Sequence, residues 1–185
     1  MTSTSFNSIK SRHLLIVGDV GAGKTRLTRR LLVEAIDEGV EGITVLDLAP
    51  ARMRLDGEQI GGRLLDEPNS RIKVLAPKEI KAPRLTGRDV LEVKQLAENN
   101  RAAIDKVLKE CTEALRDTLF VNDASIYLQA GSAETLWATI SKAKTLVVNS
   151  YLGERLRNDR GSGISQHECD QVLILCKMMD EVIKL

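Results

Sequence analysis

Gly18, Gly21 and Gly23 stand beside a lysine and a threonine in Gly18-Asp19-Val20-Gly21-Ala22-Gly23-Lys24-Thr25. Bare backbone next to a cation suits phosphate. Glycines let the chain wrap tightly and turn its N–H groups inward. A following helix adds unpaired N–H groups and the positive end of its dipole. Lys24 supplies a mobile charge for the terminal phosphates, and the Thr25 hydroxyl is a hard oxygen ligand for Mg²⁺. The spacing is a full G-x-x-x-x-G-K-[ST]. An apolar run, His13 to Val17, precedes it, and a helical pattern of Leu27, Leu31, Leu32, Ala35 and Ile36 follows.

A Mg-nucleotide site also needs a carboxylate at the end of a neighbouring apolar strand. Asp123 ends "LFVND" and Asp47 ends "ITVLD", and either would serve. Whichever of the two does not serve the metal's shell would orient a water or hold substrate, unless it forms a turn or caps a helix. Ala124 follows Asp123, at a position where many P-loop ATPases carry a glutamate that polarises the attacking water. Alanine takes no proton, and Ser125 is too weak a base. Fast hydrolysis by that route is not expected.

These residues carry a close resemblance to the Walker A motif of the P-loop NTPases. The resemblance implies nucleotide contacts from Gly18, Asp19, Val20, Gly21, Ala22, Gly23, Lys24, Thr25 and Arg26. It also implies Mg²⁺ held by Thr25. No N-K-x-D segment of the guanine-specific kind occurs; "VVNSYLG" at 147–153 has only the asparagine, which favours ATP over GTP. Asp19 occupies the place of the signature lysine of the dimerising partitioning ATPases, although "ITVLDLAP" is similar to their second strand. A broader layout resembles the ATP:corrinoid adenosyltransferases: Asn100 to Leu115, then "LFVNDASIYLQAG", "TLVVNSYLG" and "MMDEVIKL". That layout implies Asp123, rather than Asp47, in the shell of Mg²⁺, and the chain departs from that family in its P-loop, in lacking a glutamate after Asp123, and in "NSY" where the family has "TGR".

Elements must position these groups. Short β-rich runs alternate with helical patterns, which predicts an α/β three-layer P-loop fold: a mainly parallel sheet of five to six strands with helices on both faces. The strands fall at 13–17, 43–47, 72–75, 118–122 and 145–149, with 181–185 as a sixth. Helices are expected at about 24–38, 88–116 and 133–142, and from Ser165, where Ser165-Gln166-His167-Glu168 reads as a capping box. Ligands of such sheets sit beyond the strands' carboxyl ends. The loops opening there are 18–24, 48–70, 76–87, 123–132 and 150–164. They bring the basic residues Lys78, Lys81, Arg84, Arg88, Arg155, Arg157 and Arg160 to the site's edge. Arg155 is singled out to stabilise phosphoryl charge, on its own or a neighbouring subunit's nucleotide.

Composition sets the limits. The chain has 185 residues, with 27 Lys plus Arg against 26 Asp plus Glu. That length suits one domain over 11–185, with 1–10 as a flexible polar tail. Near-zero net charge and 3% aromatic residues argue against nucleic acid as a partner. Cys111, Cys169 and Cys176 lie in helical patterns without a CxxC pair and read as free thiols. No signal core or bilayer-length apolar run is visible, so a cytoplasmic protein without membrane contact is expected. Trp137 reads as packing, His167 as solvated and His13 as lacking a metal partner. Tyr127 and Tyr151 follow strands on the ligand edge, within reach of adenine or substrate.

Three activities fit: slow ATP hydrolysis, group transfer from ATP to a small molecule, and a nucleotide switch read by a protein partner or by a second copy in a dimer.

Overall fold

The computed structural model describes residues 4–55, 58–65, 67 and 69–185. The first three positions of the expected tail, and positions 56, 57, 66 and 68 of the expected 48–70 connection, lie outside the described residues.

Six strands form one all-parallel sheet: β1 (His13–Gly18), β2 (Ile43–Asp47), β5 (Ile72–Leu75), β6 (Thr118–Asn122), β7 (Thr145–Tyr151) and β8 (Glu181–Lys184). Their order is β5-β2-β6-β7-β1-β8. All the inner strands are apolar runs because both of their faces are covered. Leu14 and Ile16 of β1 join Val45, Phe120 and Val147 on one face, packed against Leu31, Leu32 and Ala35 of α2 (Lys24–Asp37). Leu15 and Val17 face the other way with Leu46, Leu119, Val121 and Val148. That face is covered by α4 (Val90–Ala114), α5 (Ser125–Leu128), α6 (Ala133–Ile140) and α7 (Ile164–Met178), which contribute Ile104, Leu108, Leu136 and Val172. Each fully buried Leu or Ile contributes about 1.5–3 kcal/mol of transfer free energy.

The expected strands and three-layer architecture are present. Four local readings are corrected. The polar N-terminus is not a tail throughout: Phe6–Ile9 forms α1, with Phe6 and Ile9 buried against α2 because these two apolar residues cap that face's core. The 48–70 connection contains an antiparallel hairpin, β3 (Met53–Leu55) with β4 (Glu58–Ile60). A short helix, α3 (Pro83–Thr86), starts at Pro83, whose fixed φ suits a first helical position. Finally, α7 has Gly163 as its N-cap, in left-handed conformation and with no side-chain cap. Ser165 and Glu168 thus form no capping box.

Cys111, Cys169 and Cys176 are free thiols. Among the described residues, no helix is long and apolar enough to cross a membrane.

Candidate functional site

β1 ends at Gly18, and the chain turns through Asp19–Ala22 into α2. Gly23 is the N-cap, at φ 94°, a backbone conformation that side-chain-bearing residues rarely hold. Lys24 follows as the first helical residue. Its Nζ donates to the carbonyls of Gly18 (2.9 Å) and Asp19 (2.7 Å). Burial pushes the lysine below its ordinary range, against the pull of Asp123, Asp19 and Glu168.

The loop opens on a cleft of about 410 Å³ at the carboxyl edge of the sheet, within the size range of small-molecule sites. Val20, Gly21, Gly23, Lys24, Thr25 and Arg26 line one side. Asp123 and Asn149, from the ends of β6 and β7, form its floor. Arg84, Gln129 and Tyr151 also line it, Tyr151 standing in register with Gly18 of the P-loop.

Asp123 is held by a buried polar chain that crosses three strand ends. Asn149 accepts the Asp123 N–H (2.9 Å), and its Nδ2 donates to Asn122 Oδ1 and Thr28 Oγ1, both at 3.0 Å. Asn122 Nδ2 in turn donates to Asp47 Oδ1 (2.8 Å). Asp123 itself sits at φ 59°, a region uncommon for residues other than glycine, and such conformations cluster where function fixes a side chain. The turn sends Asp123 to the cleft and Ala124 into the core. Burial pushes the Asp123 carboxyl above its ordinary range, opposed by the Ser125 hydroxyl and by the charges of Lys24 and Arg84. A divalent cation would reverse that balance.

The donor set fits Mg²⁺. That ion takes one or two protein oxygens and fills its shell with phosphate and water, and the Thr25 hydroxyl and Asp123 carboxylate line the same cleft. No group of three or more His, Cys, Asp or Glu side chains able to hold a metal ion is present among the described residues.

Asp47 is elsewhere. It is buried, and its two oxygens accept from Asn122 Nδ2 and from the Leu64 N–H (2.7 Å). It does not line the cleft among the described residues. Instead of meeting water or substrate, Asp47 ties the 61–65 backbone to the strand ends. Arg155 lies beside the P-loop, its guanidinium 3.5 Å from the carbonyl of Val20. Its backbone N–H is held by Asp19.

Of the basic residues expected at the edge, Arg84 enters the cleft. It is buried, lies 5.1 Å from the Tyr151 ring centre and makes a two-pronged ion pair with Glu168 of α7. Lys24 Nζ lies 5.8 Å from the same ring. Arg88 pairs with Glu92, Lys81 with Glu79 and Arg157 with Glu154. Arg160 donates to the Gly87 carbonyl. Tyr127 turns away from the cleft and donates to Asp105 (3.0 Å). Trp137 packs on the core and against the His13 ring, whose Nε2 lies 2.9 Å from the Ala143 carbonyl oxygen. His167 is exposed and reaches the Gly131 carbonyl.

Sequence reasoning missed Gln129 and Glu168. Glu168 falls in register with Ile164, Val172 and Leu175, the buried residues of α7. A glutamate on an apolar helix face was the one available signal.

The family model described as "Helicase HerA, central domain" matches residues 3–160. The match takes in the P-loop, Asp123 and Asn149, and ends before α7. It supports the P-loop NTPase superfamily and carries no link to the corrinoid adenosyltransferases. No curated protein matches the chain.

Proposed function

The chain belongs to the family of the helicase HerA central domain, and from that premise we propose that it binds Mg·ATP in the P-loop cleft and hydrolyses it slowly. The observation that carries this reading is the meeting of Lys24, Thr25 and Asp123 in one cleft at the carboxyl edge of a parallel sheet. In it, Gly18 to Gly23 and Arg26 surround the phosphates. Lys24 leaves the Gly18 and Asp19 carbonyls for the β- and γ-phosphates. Thr25 and the shell around Asp123 hold Mg²⁺, which would neutralise charge on the phosphates and the leaving group. Arg84 lies where it would meet charge developing on the transferred group. Arg155, exposed beside the P-loop and hydrogen-bonded to the Val20 carbonyl, would stabilise phosphoryl charge on its own or a neighbouring copy's nucleotide. One domain over 11–185, continued to Phe6 at its N-terminus, serves all of these roles.

Composition argued against nucleic acid, and the family gives that argument no support, because its description names a helicase. DNA is therefore the first co-substrate to add. A second reading draws on Ala124: with alanine in that place, a long-lived ATP state would be read by a protein partner or a second copy. Transfer to a small acceptor is the third.

The test is ATP affinity and turnover with Mg²⁺, with every product identified, for the wild type and Lys24→Ala. Loss of the lysine's charge-assisted bonds should weaken ATP binding by about 10- to 100-fold. ADP and phosphate as the products support hydrolysis. A nucleotide-dependent change of oligomer with little product favours the switch. A folded Lys24→Ala protein with unchanged ATP affinity would remove the site assignment altogether.

A further inference from the structure

The cleft extends past its phosphate-binding part, and the order of the strands shows in which direction. Lys24 and Thr25 follow β1, Asp123 follows β6, and the connection that carries β3 and β4 follows β2. In the sheet these strands run β1, β7, β6, β2. The P-loop, Asp123 and the hairpin therefore stand in that sequence along the carboxyl edge. β8 lies on the opposite side of β1, and none of its residues lines the cleft among those described.

The hairpin end is apolar. Met53 and Ile60, paired across β3 and β4, line it together with Pro50. Pro83 and Leu85 of α3, which follows β5 next to β2, and Ile126 of α5, which follows Asp123, add to the apolar lining. The neck of the hairpin is fixed. The Gly62 N–H donates to the Pro50 carbonyl (2.9 Å), and a Cβ on Gly61 would collide with the Pro50 and Ala51 carbonyls. Asn122 and Asp47 hold the Gly62 carbonyl and the Leu64 N–H from the strand ends. Apolar walls with a few placed polar groups are what small-molecule sites present.

Four charged residues line the cleft among those described. Lys24, Arg26 and Asp123 belong to the nucleotide and metal set, and Arg84 is the fourth. A guanidinium carries five N–H donors. Arg84 directs Nη1 to Glu168 Oε2 and to Ser165 Oγ (3.4 Å), and Nη2 to Glu168 Oε1 (3.2 Å). The Nε–H and the second Nη2–H share the other edge of the planar group and have no acceptor among the described residues. Nε is not sealed either: the buried side-chain atoms without a partner are Thr44 Oγ1, Gln129 Oε1 and Ser150 Oγ. Two parallel N–H groups on one edge are the geometry that takes a carboxylate or phosphate in two-pronged fashion. Glu168, bound from behind, holds that edge in place.

We propose that the hairpin end of the cleft is a subsite for a second small molecule, an organic anion with an apolar body, held beside the γ-phosphate of bound ATP. The apolar body lies against Met53, Ile60 and Ile126, and the carboxylate or phosphate takes the free edge of Arg84. This rests on the nucleotide reading above, which sets the direction of ATP. Mg²⁺ bridges the β- and γ-phosphates, and Asp123 stands in the metal's shell in that reading. The terminal phosphate is therefore the end of the nucleotide at β6. Any group that meets the γ-phosphorus in line approaches from the side opposite ADP, which is the hairpin side.

The test uses the whole chain loaded with Mg²⁺ and the β,γ-imido analogue of ATP, which is not hydrolysed, and takes 2-naphthoate as the probe. Titration calorimetry should give a probe Kd of about 1 mM or tighter, an ordinary affinity for so small a ligand, with the analogue still bound. The uncharged 2-naphthamide should bind about 10-fold more weakly, because it forms no charge-assisted pair. Met53→Asp sets a like charge against the probe and should abolish its binding, with affinity for the analogue within about threefold of wild type. Arg84→Lys keeps a cation for Glu168 but not the planar fork, and should weaken the probe by about 10-fold. Displacement of the probe by the analogue overturns the proposal, since it would put the base in the apolar end. No probe binding to the loaded wild type overturns it too, as does equal affinity for 2-naphthoate and 2-naphthamide. Unchanged probe binding by Met53→Asp does the same. If Arg84→Lys fails to fold, the amide and Met53→Asp decide without it. Wild type that binds no analogue removes the nucleotide reading and the subsite with it, and is told apart from the other failures because those are read on nucleotide-loaded protein.

Discussion

The two walls of the cleft are built in opposite ways. One is the eight-residue run Gly18–Thr25, in which backbone, lysine and threonine are neighbours in the chain. Its geometry follows from local turns and from the start of α2. The other joins Arg84, Gln129 and Tyr151, drawn from three segments and held by a cation over a ring and by a buried ion pair to Glu168 of α7, which stands behind them. The first wall needs the fold only to be presented. The second exists only once the fold is complete. A wall of the first kind tolerates loss of a side chain; a wall of the second kind transmits the loss to every segment it joins.

Arg84→Ala is the strongest way to break that contrast. It leaves Glu168 buried without its cation, and removing one partner of a buried pair costs about 3–5 kcal/mol. Arg155, exposed beside the P-loop, is the control, and its alanine variant should fall within about 0.5 kcal/mol of wild type. Denaturant midpoints of the two variants measure the difference. Equal midpoints would mean that the ion pair does not hold the second wall.

Next in size is Asp47, which sharpens the contrast because it connects the strand ends to the hairpin side of the cleft. Asp47→Ala removes the acceptor for the Leu64 N–H and for Asn122 Nδ2. Leaving those donors unsatisfied should cost about 1–3 kcal/mol. ATP affinity should fall less than in Lys24→Ala, because Asp47 does not line the cleft among the described residues. Nucleotide binding lost as completely as with Lys24→Ala would return Asp47 to the site.

The same contrast explains what the sequence made legible. Strands β1, β2, β5, β6 and β7 were readable because each is a short run of Val, Ile and Leu between turn signals. The P-loop was readable because its chemistry is contiguous. The hairpin β3–β4 was not, since its strands are three residues each and show no usable alternation. Its place is set from outside, by Asp47 on the Leu64 N–H, Asn122 on the Gly62 carbonyl, and Arg29 on the Leu64 and Arg63 carbonyls. Ser165 to Glu168 matched a capping box by spacing, but Glu168 found Arg84, distant in the chain, and turned inward. No local pattern announces such a partner. Arg155 was preferred over Arg84 for a similar reason: both lie in basic loops, and only the packing of α3 against α4 separates them.

The smallest effect concerns the tie between the P-loop and the turn that follows β7. Asp19 accepts from the N–H groups of Val20 (2.6 Å), Glu154 (2.8 Å) and Arg155 (3.3 Å). Gly153 sits against this carboxylate so closely that a Cβ there would collide with it. Burial raises the carboxyl's proton affinity, but the hydrogen bonds from Glu154, Val20 and Arg155 outweigh it and hold Asp19 below its ordinary value of 3.8. The folded protein therefore binds this proton less readily than the unfolded chain does. The stabilisation is present above the ordinary value and disappears as pH falls through the lower, folded one. Asp19→Asn should thus lower stability near neutral pH, by no more than about 1 kcal/mol at so exposed a carboxylate. The gap between variant and wild type should close in acid, below the ordinary aspartate range. Melting curves of the two proteins from pH 7 down to about pH 3 would trace that closure. A gap that stayed constant over the whole range would mean that the charge on Asp19 does not hold the P-loop to the 153–155 turn, and that the two walls of the cleft are tied elsewhere.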